Sequence, residues 1–321
     1  MQKTFVIDKT GKSLLPCHPA RGRKLLKAGK AKVVQVMPFT IQLKRAIKNP
    51  VGSFVVGIDD GAKKVGVAIV NDKTNEVVFK GQIELRQDVK RLMKQRSNYR
   101  RSRRSRKLRY RARRFNNRIS AKLVPSARCR KDSTLRFLKD MGKRINICQV
   151  VVEEVKFNHA KYRYGRWFSL VEQGKNYLRK QILSLGLSCK ATFGYETKKR
   201  RLEIGLSKKH SNDAISMICD EKPVINCFEW IIKPRRAKIW ENNPTKTCVE
   251  KNGFRHYDVV KASHRTRGTI IGSIRSLKAK VITLRTSFDS NFAVSYNKTK
   301  LLQRPKGLVY LQGGQGILPQ H

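Results

Sequence analysis

Four side chains in this sequence have the types and settings for metal-assisted chemistry. The run Val55-Val56-Gly57-Ile58-Asp59 is too short for a helix and rich in β-branched residues, so it reads as a buried strand ending on a carboxylate. A buried carboxylate is costly unless it meets a cation or binds metal. Two later stretches could supply its partners. Val150-Val151-Val152-Glu153-Glu154 is a second strand ending in acids, and His210-Ser211-Asn212-Asp213 opens a helix whose apolar face carries Ala214, Ile215, Met217 and Ile218. His210 and Asp213, at i and i+3, project from one helix face. Glu153 and Glu154 point to opposite faces of a strand, so only one of them can join Asp59. Carboxylates and an imidazole around one point suit two Mg2+ ions, one activating a water and the other stabilising a leaving oxygen. Taken alone, a histidine near a helix start is more often structural.

The elements that must hold these groups are legible in outline. After Asp59 come a turn at Gly61, a strand over 65–70, a turn over 71–75 and a strand over 77–83, three strands joined by short turns. Residues 82–124 contain no Gly and no Pro, and between Lys90 and Arg118 fifteen of 29 residues are Lys or Arg with none acidic. Like charges at i and i+4 repel, so a helix there needs phosphate backbones around it rather than its own packing. Pro125 is expected to break that helix. A short helix over 132–141, a strand over 145–154, a helix over 167–185 and a strand over 187–193 follow. Residues 194–201 read as a basic connector before His210, and 226–233 as one more strand. Short alternating runs at 257–260, 269–274, 280–284 and 307–311 suggest a small antiparallel sheet or barrel at the C-terminus. The first fifty residues read as strands over 5–7, 33–36 and 39–44 around one basic helix over 21–30, with a turn after Leu14-Leu15-Pro16.

Composition narrows the partners. There are 73 Lys+Arg against 22 Asp+Glu, a net charge of +51 over 321 residues. A compact chain with that charge repels itself, which calls for a polyanion, and nucleic acid is the natural one. No apolar stretch approaches the roughly 20 residues needed to span a bilayer, and the N-terminus reads as a strand rather than a signal peptide. Seven cysteines are scattered without a C-x-x-C, so they read as reduced cytosolic thiols rather than a zinc site. Cys17-His18 alone is too little for a metal site.

Several of these stretches together resemble the IscB-type proteins. Pro16-Cys17-His18-Pro19-Ala20-Arg21-Gly22-Arg23-Lys24-Leu25-Leu26-Lys27, then Gly29-Lys30-Ala31-Lys32-Val33-Val34 and Pro38-Phe39-Thr40-Ile41-Gln42-Leu43, look like their N-terminal PLMP domain, whose naming tetrapeptide stands here as Ser13-Leu14-Leu15-Pro16. The arginine-rich run resembles their bridge helix. Strand–Asp, strand–Glu and His-x-x-Asp, in that order, resemble the split RuvC nuclease of the RNase H-like superfamily. The segment from Glu153 through Phe157-Asn158 is similar to the second RuvC motif, and the spacing to Phe157 favours Glu153 over Glu154. Where that family has proline after the first aspartate, this chain has Asp60, an added carboxylate expected to sit beside the site. Only 55 residues separate Glu154 from His210, and His159 is the one histidine among them. That leaves no room for an HNH nuclease, so the likeness is to the IsrB group, which lacks it. Gly253 to Val260 and Gly268 to Gly272 are weakly similar to the family's C-terminal module that reads a short motif beside the target.

The resemblance implies an α/β fold: a mixed RNase H-like (RuvC) sheet split by an arginine-rich bridge helix, with a small N-terminal PLMP-like α+β module and a small C-terminal β module. The boundaries are 1–50 for the PLMP-like module, 51–86 for the first RuvC segment, 87–124 for the bridge helix, 125–232 for the second and third RuvC segments, and 233–321 for the C-terminal module. It implies that Asp59, Glu153 and Asp213 bind two Mg2+ ions (Mn2+ could substitute), with Asp59 bridging, and that His210 positions or deprotonates the attacking water. Nucleic-acid contacts are expected from Arg21, Arg23 and Lys24; from Arg96, Arg100, Arg101, Arg103, Arg104, Arg106, Arg109, Arg111, Arg113 and Arg114; and from Arg235 and Arg236. The implied activity is an RNA-guided nick in the non-target strand of double-stranded DNA. It would be performed by a monomer in a ribonucleoprotein with a structured guide RNA (omega RNA), in a prokaryotic cytoplasm and encoded by a transposon. The rival readings are a guide-independent junction resolvase and a non-catalytic RNA-binding protein.

Overall fold

The computed structural model describes residues 2–47, 52–106, 123–155, 169–234, 250–266, 268–286, 292–305 and 307–312. The N-terminal elements are β1 (Thr4–Ile7), β2 (Ser13–Cys17), α1 (Pro19–Lys27), β3 (Ala31–Gln35) and β4 (Thr40–Leu43), in a sheet of order β2-β1-β4-β3. Val6, Leu14, Ala31, Ile41 and Leu43 are its core. The turn expected after Leu14-Leu15-Pro16 is instead strand β2. Proline is tolerated there because β2 lies at the sheet edge, where a missing N–H breaks no inner ladder. His18 caps α1 by accepting the Ala20 N–H on Nδ1, a structural role.

The central sheet begins with the antiparallel β5 (Phe54–Asp59), β6 (Lys64–Asn71) and β7 (Glu76–Glu84). After α2 (Val89–Ser105) and α3 (Pro125–Met141), β8 (Ile147–Glu154) joins parallel to β5. Then α4 (Leu170–Ser184) leads to β9 (Ser188–Phe193), parallel to β8. Helices α5 (Gly194–Ile204) and α6 (His210–Ser216) follow, then β10 (Val224–Ile225) and β11 (Glu229–Pro234), both parallel to β7. One face of the sheet is closed by α3 and α4: Phe137, Leu138, Leu178 and Ile182 pack against Val56, Ile58, Ile69 and Phe79. The other face carries α6, with Ala214 and Ile215 against Ala68, Val70 and Val77.

Past β11 lie the short pair β12 (Glu250–Lys251) and β13 (Phe254–Arg255), then β14 (Val259–His264), β15 (Gly268–Leu277), β16 (Val281–Arg285), β17 (Phe292–Ser295) and β18 (Thr299–Gln303). The last five form an antiparallel sheet of order β17-β16-β15-β14-β18. The final strand, β19 (Leu308–Gln312), belongs elsewhere: it pairs antiparallel with β11, so the central sheet reads β19-β11-β7-β6-β5-β8-β9. Gln303 ties the small sheet to the N-terminal one. Its Oε1 accepts the N–H groups of Val36 at 2.7 Å and Met37 at 2.8 Å.

Three further expectations change. Pro125, expected to break a helix, starts one: it opens α3 at the first helical position, where its missing N–H costs nothing. The basic connector over 194–201 is helix α5. The Glu196 carboxylate accepts the Phe193 N–H at 3.3 Å, and Gly205 ends the helix in the left-handed region at φ 76°. In the bridge region α2 ends at Ser105, with Arg106 extended; residues 107–122 lie outside the described part. Among the described residues no helix is long and apolar enough to cross a membrane.

Candidate active site

Alternation along β5 sets the geometry. Val55, Gly57 and Asp59 face α6, whereas Val56 and Ile58 face α3 and α4. On β8, Val151 joins Val55 and Met217 on the α6 face, so Glu153 points the same way. Because β5 and β8 run parallel, with Ile58 beside Val152, both acids emerge from neighbouring strand ends.

Two glycines bring α6 down onto these acids. A Cβ on Gly57 would lie 2.1 Å from the Ala214 carbonyl oxygen, and one on Gly66 would lie 1.9 Å from that of His210. Only glycine permits this backbone approach. It places His210 Nδ1 2.5 Å from Asp59 Oδ2. The α6 start is also held from the side. Ser211 Oγ donates to Glu229 Oε1 at 2.7 Å, and Gln82 Nε2 donates to the same oxygen at 2.6 Å. Asp213, one turn along, forms an ion pair with the buried Arg201 at 2.8 Å.

The second member of each acidic doublet faces away. The Asp60 side chain is 1% exposed and bonds the ammonium of Lys131 on α3, with Lys175 Nζ of α4 at 4.0 Å. Glu154 pairs with Arg179 of α4 at 3.2 Å. Asp60 therefore adds no carboxylate to the α6 face: as the next residue after Asp59 it takes the opposite side, for the same reason that separates Glu153 from Glu154.

The α6 face is crowded with negative charge. Burial pushes the Glu153 carboxyl up to about 7, with Asp59 the next cause and Lys175 opposing. Burial and then Asp59 raise Asp213, against Arg201 and His210. Burial lowers Lys175, while Asp60 opposes that shift. Among the described residues no three His, Cys, Asp or Glu side chains are arranged to close around an ion as they stand. Asp59 is turned to His210 and Asp213 to Arg201. The donor set nevertheless fits a hard divalent cation: it offers carboxylate oxygens, and Glu153 is raised by burial and then by the neighbouring Asp59, a charge that a cation would relieve.

The structure thus brings Asp59, Glu153, His210 and Asp213 to one face. Sequence reasoning missed Lys131, Lys175, Arg201 and Glu229. Lys175 carried a signal: with Leu178 and Ile182 it falls on one apolar helical stripe, and a lysine in such a stripe is buried and paired.

The basic candidates among the described residues fall on exposed elements. Arg21, Arg23 and Lys24 lie on the open face of α1, and Arg96, Arg100, Arg101, Arg103, Arg104 and Arg106 are all exposed on or just after α2, which buries no residue. Tyr99 sits exposed among these arginines. Arg109, Arg111, Arg113, Arg114, Arg235 and Arg236 lie outside the described residues.

The family model described as RRXRR protein matches residues 4–175. No curated protein matches the chain. Two structures of Thermus thermophilus RuvC, one of them in complex with Holliday junction substrate, align at 16% identity. They cover 52% and 51% of this chain and 90% of each of theirs, with TM-scores of 0.32 and 0.30. An intasome of simian T-cell lymphotropic virus in complex with PP2A regulatory subunit B56 gamma aligns at 8% identity over 79% of this chain and 82% of that one, with a TM-score of 0.16.

Proposed function

Since the chain belongs to the RRXRR family, whose model spans more than half of it, we propose that it is a divalent-cation nuclease of the RNase H-like type that nicks DNA under RNA guidance. The observation that carries this reading is the convergence of Asp59 and Glu153, from the ends of β5 and β8, with Asp213 and His210 of α6, where His210 is bonded to Asp59. Asp59, Glu153 and Asp213 would hold two Mg2+ ions, which when bound supply a polarised phosphate and an activated water. With Nδ1 bonded to Asp59, Nε2 is the ring nitrogen of His210 left to take a proton, and the side chain is 44% exposed, open to a water beside a bound strand. Glu229, through Ser211, holds the first turn of α6 and so the aim of that ring.

The net charge of +51 supports a nucleic-acid complex, and the exposed basic face of α2 supports a phosphate-lined position for that helix. Guide pairing would read the target sequence while the protein holds the heteroduplex by its backbone. A single nuclease centre would make a single cut, on the displaced strand. The direct test is Asp59→Ala, which removes a cation ligand and no phosphate contact. Cleavage should vanish while RNA binding stays within about twofold of the parent; full cleavage by this variant in Mg2+ would refute the site.

A further inference from the structure

We propose that Asp60, Lys131 and Lys175 form a buried clamp behind the sheet that fixes the spacing of Asp59 and Glu153, and with it their affinity for a divalent cation. This rests on the reading of those carboxylates as a cation site. Lys175 Nζ donates to the main-chain carbonyl of Glu153 while lying 4.0 Å from Asp60 Oδ2. A single ammonium therefore bridges the ends of β5 and β8, the two strands that carry the acids. Lys131 bonds the same Asp60 oxygen from α3. The three side chains are 1%, 13% and 6% exposed for Asp60, Lys131 and Lys175.

Burying three charges is poorly repaid as stability, since apolar residues of similar volume commonly serve as well. The neighbouring Leu178 and Ile182 show that this face accepts them. Gly174 points the same way. A Cβ there would lie 2.9 Å from Lys131 Cε, so an otherwise unfavourable glycine within α4 leaves the passage through which Lys131 reaches Asp60. One turn further, Arg179 holds Glu154, so α4 engages the rearward acid of the β8 doublet as well as Asp60. The clamp touches no reacting group: its members are positioning residues, acting through the main chain at the two strand ends.

The test is calorimetric titration of Mn2+ into the full-length chain stripped of nucleic acid, with thermal unfolding recorded on the same samples. Lys175→Met keeps the length and removes the charge and the donor. The pair Asp60→Asn with Lys131→Met removes the clamp without changing net charge. Both should bind Mn2+ about 10- to 100-fold more weakly than the parent while still unfolding cooperatively, as for other groups that orient metal ligands. Unchanged affinity in a folded variant would overturn the clamp and leave the cation site standing. Parent protein that binds Mn2+ no better than Asp59→Ala would overturn the cation site itself. Failure of both clamp variants to fold would make the clamp a stability element and refute its positioning role.

Discussion

Asp59 and Asp60 leave β5 on opposite sides of the sheet, as Glu153 and Glu154 leave β8, and this division separates chemistry from support. The side facing α6 gathers acids, of which Glu153 and Asp213 are raised by burial and then by Asp59; the other side gathers lysines and an arginine that neutralise their neighbours. Glu153 gives a pH prediction. Its carboxyl sits near 7 in the folded chain against an ordinary 4.5, so the folded state holds that proton more tightly than the unfolded one. The resulting stability is fully present below pH 4.5 and lost as pH rises through 7. The raised Asp213 acts in the same direction. With EDTA present, the Tm of the parent should therefore fall between pH 5 and pH 8 by more than that of Glu153→Gln, and the two should differ most at the alkaline end, where only the parent carries the buried charge. Equal falls would mean that Glu153 is not the group responsible. The doublets also show what the sequence can yield at this scale. Period-2 alternation was enough to separate Glu153 from Glu154, and the same rule separates Asp60 from the site. Lys131 and Arg201 offered no such rule, because in a chain this basic a buried cation looks like any surface one.

At the scale of elements, what could be read depended on local signals. Strands β5, β6, β7 and β8 announce themselves by short β-branched runs, and α6 by its apolar face. Helix α5 was hidden because its composition is that of a charged loop, and its helicity comes from the Glu196 cap, the Gly205 stop and the burial of Thr197, Arg201 and Ile204. The pairing of β19 with β11 was hidden for a different reason: alternation marks a strand but not which sheet will take it, and this partner lies far back in the chain. Helix α2 buries no residue, and arginines and lysines crowd its exposed surface. Neutralising Arg100, Arg101, Arg103 and Arg104 together should weaken RNA binding and flatten its salt dependence. The slope of log K against log salt should drop by about 3 if all four meet phosphates. A slope equal to the parent's would remove α2 from the interface.

At the scale of the molecule, a small sheet at each end is tied to a central sheet that holds one cluster of acids and a histidine among the described residues. The N-terminal sheet is fastened to the C-terminal one through Gln303, and α3 is fastened to the last strand by Tyr310, whose hydroxyl donates to Asp140 at 2.5 Å. These ties join the sheets of a chain whose net charge of +51 repels itself. The proposed activity rests on the one such cluster among the described residues: a strand displaced by guide pairing would be single-stranded and could thread across it, while a paired target strand would be locked in a heteroduplex. The decisive measurement is strand-specific end-labelling of a guide-matched duplex with a permissive flanking motif, run on a denaturing gel with Mg2+ and with Asp213→Ala as control. One nick in the non-target strand, an intact target strand and no product from the control are predicted. Guide-dependent cutting of both strands at comparable rates, or cutting that ignores the guide, would contradict the account.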